Sequence, residues 1–242
     1  MSTALITGAS AGLGRALALA LARQGWQLII DARSRGRLDR TADDLGEIAD
    51  VTAIAGDVTD PLHRDRLVAA VAEHGDRLDL LVNNASTLGP SPLAALAALS
   101  PADLATILST NVEAPHALAQ QLLPVLTRSR GILLNISSDA AIEHYAGWGG
   151  YAASKAALDH LTLTLDAENP DLAAYAVDPG DMRTEMHQQA FPGEDISDRP
   201  LPETVVPALL TLLERRPESG RYRASDFATE AQPMPAASGV TA

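Results

Sequence analysis

Cysteine is missing from all 242 positions of the sequence. The chain can therefore form no disulfide bond, perform no thiol catalysis and offer no cysteine ligand to a metal, which fits a reducing compartment. The first residues carry no basic leader followed by an apolar stretch and a cleavage site, so no export signal is expected. We therefore expect a cytoplasmic location.

Long apolar runs and an excess of basic residues are also missing. No stretch approaches the roughly 20 apolar residues of a membrane-spanning helix, so no membrane role is expected. The 18 Lys and Arg residues stand against 31 Asp and Glu residues, and the formal net charge of −13 opposes binding to nucleic acid. The six histidines have no metal-ligand spacing, and no serine nucleophile turn or Walker lysine motif occurs, so no metal site is expected.

Short β-type runs alternate with longer helical patterns along the chain. The runs typical of strands are 4–7, 28–32, 51–55, 78–82, 131–137 and 173–177, with a weaker one at 221–224. The most regular helical pattern lies at 13–23, and a capping residue before a proline marks helix starts at Asp60-Pro61 and Ser100-Pro101. This order predicts an α/β fold of the Rossmann type, with a doubly wound parallel seven-stranded sheet and helices on both faces.

The length of the chain suits a single domain, which we expect to span residues 1–229. Proline and glycine interrupt any regular pattern at 186–202, which is typical of a lid over a substrate site. Residues 230–242 are rich in Pro, Ala, Ser and Gly and are expected to form a flexible tail.

A glycine-rich turn joins the first predicted strand to the first predicted helix. It reads TGASAGLGR from Thr7 to Arg15. Glycines let the backbone turn tightly and approach a pyrophosphate, and the start of a helix favours negative charge. This context favours a dinucleotide site over a plain strand-to-helix turn.

A tyrosine and a lysine lie four positions apart in a helical pattern, at Tyr151 and Lys155. Residues at this spacing lie on one face of a helix. A free tyrosine has a pKa of about 10, and a nearby cation lowers the pKa of an acid by roughly 1 to 3 units. We expect Lys155 to lower the pKa of Tyr151, which then gives a proton to a carbonyl or takes one from an alcohol.

Four motifs in order resemble the short-chain dehydrogenase/reductase family over Met1 to about Thr184. They are the glycines at 8, 12 and 14, Asn83-Asn84-Ala85, Tyr151-x-x-x-Lys155 and Pro179-Gly180. The resemblance implies an enzyme that moves a hydride between a nicotinamide cofactor and the carbonyl or secondary alcohol of a small molecule. It implies the catalytic residues Asn111, Ser138, Tyr151 and Lys155, with Ser137 as the alternative to Ser138.

The resemblance also implies roles for these residues. Ser138 would hydrogen-bond the substrate oxygen, the backbone of Asn111 would hold a water, and Lys155 would reach the nicotinamide ribose. The cofactor residues it implies are Gly8, Ser10, Gly12, Leu13, Gly14, Arg33, Asp57, Val58, Asn83, Ala85, Tyr151, Lys155, Pro179, Gly180, Met182 and Thr184. Taken singly, Asp57 also reads as a strand-end cap and Asn83 as part of a turn.

The end of the second predicted strand bears on the choice between NADP(H) and NAD(H). In the register of the family, counted from Gly25, the acid typical of NAD users would fall on Ala32, and Arg33 follows. An arginine there would pair with the 2′-phosphate of NADP, and Asp31 would point into the surroundings of the sheet. Although Ala11 replaces the basic residue of many NADP users, the sequence predicts NADP(H) rather than NAD(H).

Partners follow from the same resemblance. We expect a small-molecule carbonyl or alcohol substrate, facing residues drawn from His144, Trp148, Met186, His187 and Phe191. The family also implies a homodimer or homotetramer, paired through helices that flank the fourth and fifth strands. Two alternatives are a catalytically silent NADP-binding regulatory protein and a nucleotide-sugar epimerase or dehydratase, although the latter generally carry a larger C-terminal domain.

Overall fold

The computed structural model describes residues 1–228, which build one seven-stranded sheet covered by helices. The strands are β1 (Thr3–Ile6), β2 (Gln27–Ala32), β3 (Val51–Ala55), β4 (Leu80–Asn83), β5 (Ile132–Ile136), β6 (Ala173–Asp178) and β7 (Gly220–Arg223). The α-helices are α1 (Gly12–Arg23), α2 (Arg35–Gly46), α3 (Pro61–Glu73), α4 (Pro101–Leu108), α5 (Ala114–Ser129), α6 (Gly149–Glu168), α7 (Glu185–Ala190) and α8 (Val206–Arg215). The predicted tail at 230–242 lies outside the described residues.

Every pair of neighbouring strands is parallel, and the strand order is β3-β2-β1-β4-β5-β6-β7. The order reverses between β1 and β4, where a crevice opens at the carboxyl ends of the strands. The predicted Rossmann-type sheet is therefore confirmed. Within residues 1–228 no helix is both long and apolar enough to cross a bilayer.

The core lies in two layers because neighbouring residues of a strand point to opposite faces of the sheet. Ile6 packs on one face with Leu17 of α1 and Leu209 of α8. Leu5 packs on the other face with residues of α3 and α5, including Leu67 and Leu118. The sheet is thus covered by helices on both faces, and loops connect the elements at the carboxyl ends of its strands.

Both helix starts predicted from a capping residue and a proline are confirmed. The side chain of Asp60 accepts from the N–H of Leu62 at 3.0 Å, and that of Ser100 accepts from the N–H of Asp103 at 3.0 Å. The caps satisfy N–H groups that have no partner within the helix. They fix where α3 and α4 begin.

The segment 186–202 is less irregular than the sequence suggests, because the short helix α7 reaches into it. The Thr184 hydroxyl caps α7 by accepting from the N–H of His187 at 3.1 Å, and Glu185 adds a favourable charge in the first turn. The sequence did not predict this helix, because Pro192 and Gly193, which suggested a loop, lie just after its end.

Candidate active site

A cavity of about 800 Å³ lies at the carboxyl ends of the strands and joins most of the predicted site residues. It extends from the glycine-rich turn after β1 to α6 and α7. The predicted residues that line it are Gly8, Ser10, Gly12, Leu13, Arg33, Asp57, Val58, Ala85, Ser138, Tyr151, Lys155, Pro179, Gly180, Met182 and Thr184. Gly14, Asn83 and Asn111 do not line it and lie behind its wall.

The glycine-rich turn has the geometry that a phosphate group needs. Gly8 and Gly12 have φ angles of +67° and +55°, which side chains rarely adopt. Ala11, the cap of α1, has no side-chain acceptor for the first N–H groups of that helix, so they can serve an anion. The cradle therefore fits the pyrophosphate of a dinucleotide.

Asn84, which the sequence analysis did not select, holds this turn in place. Its side-chain nitrogen donates to the carbonyls of Thr7 at 2.9 Å and Gly8 at 3.1 Å. In return, the Thr7 hydroxyl accepts from the N–H groups of Asn84 and Ala85 at 3.0 and 3.1 Å. The end of β4 and the end of β1 are thus locked together.

Gly14 leaves space for that lock rather than lining the cavity. A Cβ at this position would lie 2.5 Å from the Asn84 side-chain nitrogen and 2.6 Å from the Gly8 carbonyl oxygen. We expect Gly14→Ala to displace the turn, lowering the free energy of unfolding by about 1 to 3 kcal/mol and weakening cofactor binding. Chemical denaturation and a binding titration measure the two effects.

The matched control for this prediction is Gly46→Ala at the end of α2. A Cβ there meets no atom within 4 Å. We expect stability to be unchanged or higher by up to about 1 kcal/mol, since alanine favours a helix over glycine. Equal behaviour of the two variants would contradict the packing role of Gly14.

A second support of the turn is Asp31, which is 1% exposed at the end of β2. Its carboxylate accepts from the N–H of Gly8 at 3.0 Å and lies 2.8 Å from Nε2 of the buried His63 on α3. Arg66 donates to Nδ1 of the same ring at 3.2 Å. Burial raises the pKa of Asp31, and the contacts with His63 and Gly8 oppose that rise. Asp31 is therefore bonded on both sides beneath the glycine-rich turn.

Arg33 and Asp57 stand together at the outer end of the cavity. Arg33 is exposed at the end of β2, and its charge helps to lower the pKa of Asp57. Burial alone would raise the pKa of Asp57, but hydrogen bonds from the N–H and hydroxyl of Thr59 outweigh it, at 2.9 and 2.8 Å. Asp57 therefore stabilises the loop after β3 through Thr59 and also lines the cavity.

Tyr151 and Lys155 lie side by side on α6 at the inner end of the cavity. They are 8% and 2% exposed, and the Lys155 ammonium lies 5.5 Å from the centre of the Tyr151 ring. Lys155 donates to the carbonyl of Ile136 at the end of β5 at 2.7 Å. Tyr151 and Lys155, one helical turn apart on α6, thus both lie near the carboxyl end of β5.

The expected lowering of the Tyr151 pKa is wrong for the protein alone. Burial raises the pKa of Tyr151 well above its ordinary value, nearby carboxylates such as Asp178 add to the rise, and a hydrogen bond with Ser138 opposes it. Burial also lowers the pKa of Lys155 to about 8, against the attraction of Asp159. Desolvation outweighs the pairing of the two groups, so Tyr151 keeps its proton at neutral pH.

Lys155 is the only lysine in the chain, so its titration can be measured directly. We expect the single ε-carbon NMR signal of lysine-labelled protein to titrate near pH 8 rather than 10.5. This pKa is lower in the folded chain than in the unfolded chain, so the unfolded chain binds the proton more tightly. The free energy of unfolding is therefore unaffected by Lys155 above pH 10.5 and decreases as the pH falls from 10.5 to 8. Lys155 is therefore expected to destabilise the fold at pH 7.

Lys155→Met removes that cost. Removing the ammonium group should stabilise the fold by about 3 kcal/mol, which corresponds to the pKa difference, and losing the hydrogen bond to Ile136 should destabilise it by about 1 kcal/mol. We expect the variant to be about 2 kcal/mol more stable than the parent at pH 7, with the gap closing between pH 8 and 10.5. A variant that is less stable than the parent at pH 7 would contradict the claim that the buried charge of Lys155 destabilises the fold.

Ser138 and Ser137 both line the cavity after β5. Ser138 is the one that interacts with Tyr151, and its hydroxyl donates to Asp139 at 3.0 Å. Its carbonyl accepts from Arg221 of β7 at 2.9 Å, and Arg221 also donates to Asp159 at 2.8 Å. Arg221 is a support that the sequence analysis missed, because its place beside Ser138 depends on the pairing of β7 with β6.

Asn111 is fully buried in a π-helical turn, Ser109–Glu113, between α4 and α5. Its side-chain nitrogen donates to the Ser154 hydroxyl and to the Thr87 carbonyl, both at 2.9 Å, and its oxygen accepts from the N–H of Thr87 at 2.8 Å. Such turns are frequent at functional sites. The side chain is therefore tied to α6 and to the loop after β4, behind the cavity wall.

Asn83, which the resemblance assigns to the cofactor site, does not line the cavity. Its side chain donates to Asn135, its partner on β5, at 2.8 Å, and Asn135 donates to Thr162 of α6 at 2.7 Å. This buried relay lies outside the cavity lining, whereas Asn84 and Ala85, which follow the end of β4, line the cavity.

Four of the five residues suggested to face substrate line the cavity, namely Trp148, Met186, His187 and Phe191. His144 is exposed and is not part of the lining. The inner end of the cavity is thus walled by α6 and by the segment that begins with α7.

Known proteins resemble this chain in sequence and in structure. A family model described as short chain dehydrogenase matches residues 2–195. Serine 3-dehydrogenase from Agrobacterium fabrum is 34% identical over 186 residues, which cover 76% of this chain and 73% of the relative.

Solved structures cover the chain more fully. A short chain dehydrogenase from Pseudomonas syringae has a TM-score of 0.86 and 31% identity, covering 92% of this chain and 94% of that one. An alcohol dehydrogenase from the archaeon Thermococcus sibiricus, complexed with 5-hydroxy-NADP, has a TM-score of 0.83 and 28% identity, covering 96% and 100%.

Proposed function

The chain belongs to the short-chain dehydrogenase family, and from this premise we propose that it is an NADP(H)-dependent oxidoreductase acting on a carbonyl or secondary alcohol. One observation carries the proposal. A single cavity has the glycine-rich turn at one end and Ser138, Tyr151 and Lys155 at the other. A dinucleotide bound along it would have its phosphates at the turn and its reactive ring near Tyr151.

The side chains divide the proton chemistry between them, while a bound nicotinamide supplies or accepts the hydride. Tyr151 keeps its proton at neutral pH because burial raises its pKa, so it can donate that proton to a carbonyl oxygen. Ser138 lies beside Tyr151 and would hydrogen-bond the same oxygen. Lys155, held by the Ile136 carbonyl, would stabilise the phenolate that Tyr151 leaves.

Two features support NADP(H) over NAD(H). Asp31, the acid at the end of β2, is bonded to Gly8 and His63, so its carboxylate is already engaged before a ribose hydroxyl arrives. Arg33 is exposed at the rim, where its guanidinium can pair with a 2′-phosphate. The relative from T. sibiricus is complexed with an NADP derivative, which agrees with this assignment.

We further propose that residues 1–229 act as one catalytic domain, with 186–202 as its substrate lid, in a cytoplasmic homodimer or homotetramer. The association would use α5 and α6, which precede and follow β5 along the chain, and Leu163 of α6 is 39% exposed there. Light scattering of the purified chain measures the assembly. A monomer at micromolar concentration would contradict it.

A screen tests the proposed reaction. Ketones, aldehydes, sugars and acyl thioesters are each incubated with the protein and NADPH, and loss of absorbance is followed beside a binding titration. We expect NADPH to bind and at least one carbonyl class to consume it. Binding without turnover across the panel would favour a silent regulatory protein, and no binding would contradict the proposal altogether.

A further inference from the structure

Aromatic rings form one wall at the inner end of the cavity. The Trp148 ring lies 5.7 Å from that of Tyr151 and 6.1 Å from that of Phe191, and Phe191 lies 5.0 Å from the ring of His187. The chain has only two Trp and two Phe residues, so one of each is placed here. Flat aromatic surfaces pack best against another flat ring.

The same wall contains a polar atom without a partner. The side chain of His187 is only 10% exposed, and its Nε2 makes no hydrogen bond with any of the residues 1–228. Its Nδ1 faces Asp181 at 3.8 Å. A buried polar atom left without a partner costs free energy, so a ligand that turns the imidazole toward the cavity and supplies a partner for Nε2 gains affinity here.

Charge at this end of the cavity is negative. Asp139, Asp178 and Asp181 line it, whereas Lys155 is the only lysine or arginine among the described residues there. Lys155 is bonded to Ile136, and Arg37 at the far end is paired with Glu185 at 2.6 Å. Arg199 lies 3.6 Å from Asp181 but outside the lining, so a substrate carboxylate or phosphate would meet more carboxylates than cations in the cavity wall.

We infer that the substrate is an uncharged carbonyl compound whose reacting group sits on a flat aromatic or heteroaromatic ring, and that a hydroxyl or amino group of that ring bonds to Nε2 of His187. The inference rests on the proposed carbonyl reduction and deepens it. The aromatic wall would hold the ring, and His187 would fix its orientation relative to Tyr151.

Matched ketones test each part with NADPH as reductant. We expect kcat/KM for acetophenone to exceed that for cyclohexyl methyl ketone at least tenfold. The best of the three hydroxyacetophenones should exceed its methyl isostere at least tenfold, and acetylbenzoates should be at least tenfold worse than acetophenone. Equal rates for the planar and the saturated ring would overturn the inference.

Variants assign the hydroxyl preference to His187. His187→Leu should erase it, mainly through KM, by lowering kcat/KM for the hydroxyl compound far more than for the methyl compound, and His187→Gln should keep part of it. His144→Leu, at an exposed position outside the cavity lining, is the matched control and should retain the full preference. An unchanged preference in His187→Leu would contradict the role of the imidazole.

A binding measurement separates this inference from the proposed reaction. Trp26→Phe leaves Trp148 as the only tryptophan, so its fluorescence reports on the wall alone. We expect hydroxyacetophenones to quench it and cyclohexyl methyl ketone not to. Quenching without turnover of any ketone would support the ring site and refute the reaction, whereas turnover without ring preference or quenching would refute the ring site.

Discussion

Tyr151→Phe is expected to lower kcat for carbonyl reduction by about 100- to 10,000-fold, the usual contribution of a positioned general acid. The variant keeps the ring beside Trp148 and loses only the hydroxyl, which burial keeps protonated. Steady-state kinetics with NADPH and a substrate found by the screen measure the change. The Kd for NADPH should stay within about twofold, because the glycine-rich turn that would hold the phosphates lies at the other end of the cavity.

Tyr222→Phe is the matched control for this prediction. It also removes one hydroxyl, which donates to the carbonyl of Glu218 just before β7, and Tyr222 does not line the cavity. We expect its turnover to equal that of the parent. If Tyr151→Phe also kept full turnover, Tyr151 would not be the proton donor.

Arg33→Ala is expected to raise the Kd for NADPH by about 10- to 100-fold, since hydrogen bonds to charged groups contribute roughly 1.5 to 3 kcal/mol. The Kd for NADH should change by less than about threefold, because NADH has no 2′-phosphate for the guanidinium to pair with. Fluorescence titration with each cofactor gives both constants.

Arg35→Ala is the control for the cofactor prediction. Arg35 has the same charge and exposure in the first turn of α2 but does not line the cavity. We expect both Kd values to be unchanged in this variant. Equal losses of NADPH and NADH affinity in Arg33→Ala would mean that Arg33 supports the loop and does not read the phosphate.

Local patterns predicted the parts of the site that are built within one strand, turn or helix. The glycine-rich turn needs only β1 and α1, and the Tyr151 and Lys155 spacing needs only one helix face. The boundaries differed by one or two residues. Even the weak strand β7 formed, because β6 offers it a partner edge.

Roles that depend on packing between distant elements could not be predicted. Whether Asn83 or Asn84 faces the cavity depends on the pairing of β4 with β5, and the sequence selected Asn83. The support of Gly8 by Asp31 involves His63 of α3, which contacts the same carboxylate from a distant part of the chain. In the protein alone the pKa of Tyr151 is raised rather than lowered for a similar reason, since the sequence displays the neighbouring charge but not the depth of burial.

Of the 18 Lys and Arg residues in the chain, Lys155 is the only lysine and all the others are arginine. An arginine cannot lose its proton in a protein, whereas a buried lysine titrates readily. With a pKa of about 8, Lys155 lies close enough to neutrality to respond to the charge on Tyr151. The stability that Lys155 costs is thus consistent with a catalytic position rather than a structural one.

The central claim is that this cavity brings a hydride from NADPH to a carbonyl carbon. A single turnover with NADPH deuterated at C4 of the nicotinamide, using the two stereoisomers in turn, tests it most directly by mass spectrometry of the alcohol formed. We expect one stereoisomer to place one deuterium on the carbinol carbon and the other to place none. An alcohol without deuterium from either isomer, or with deuterium elsewhere, would contradict the claim.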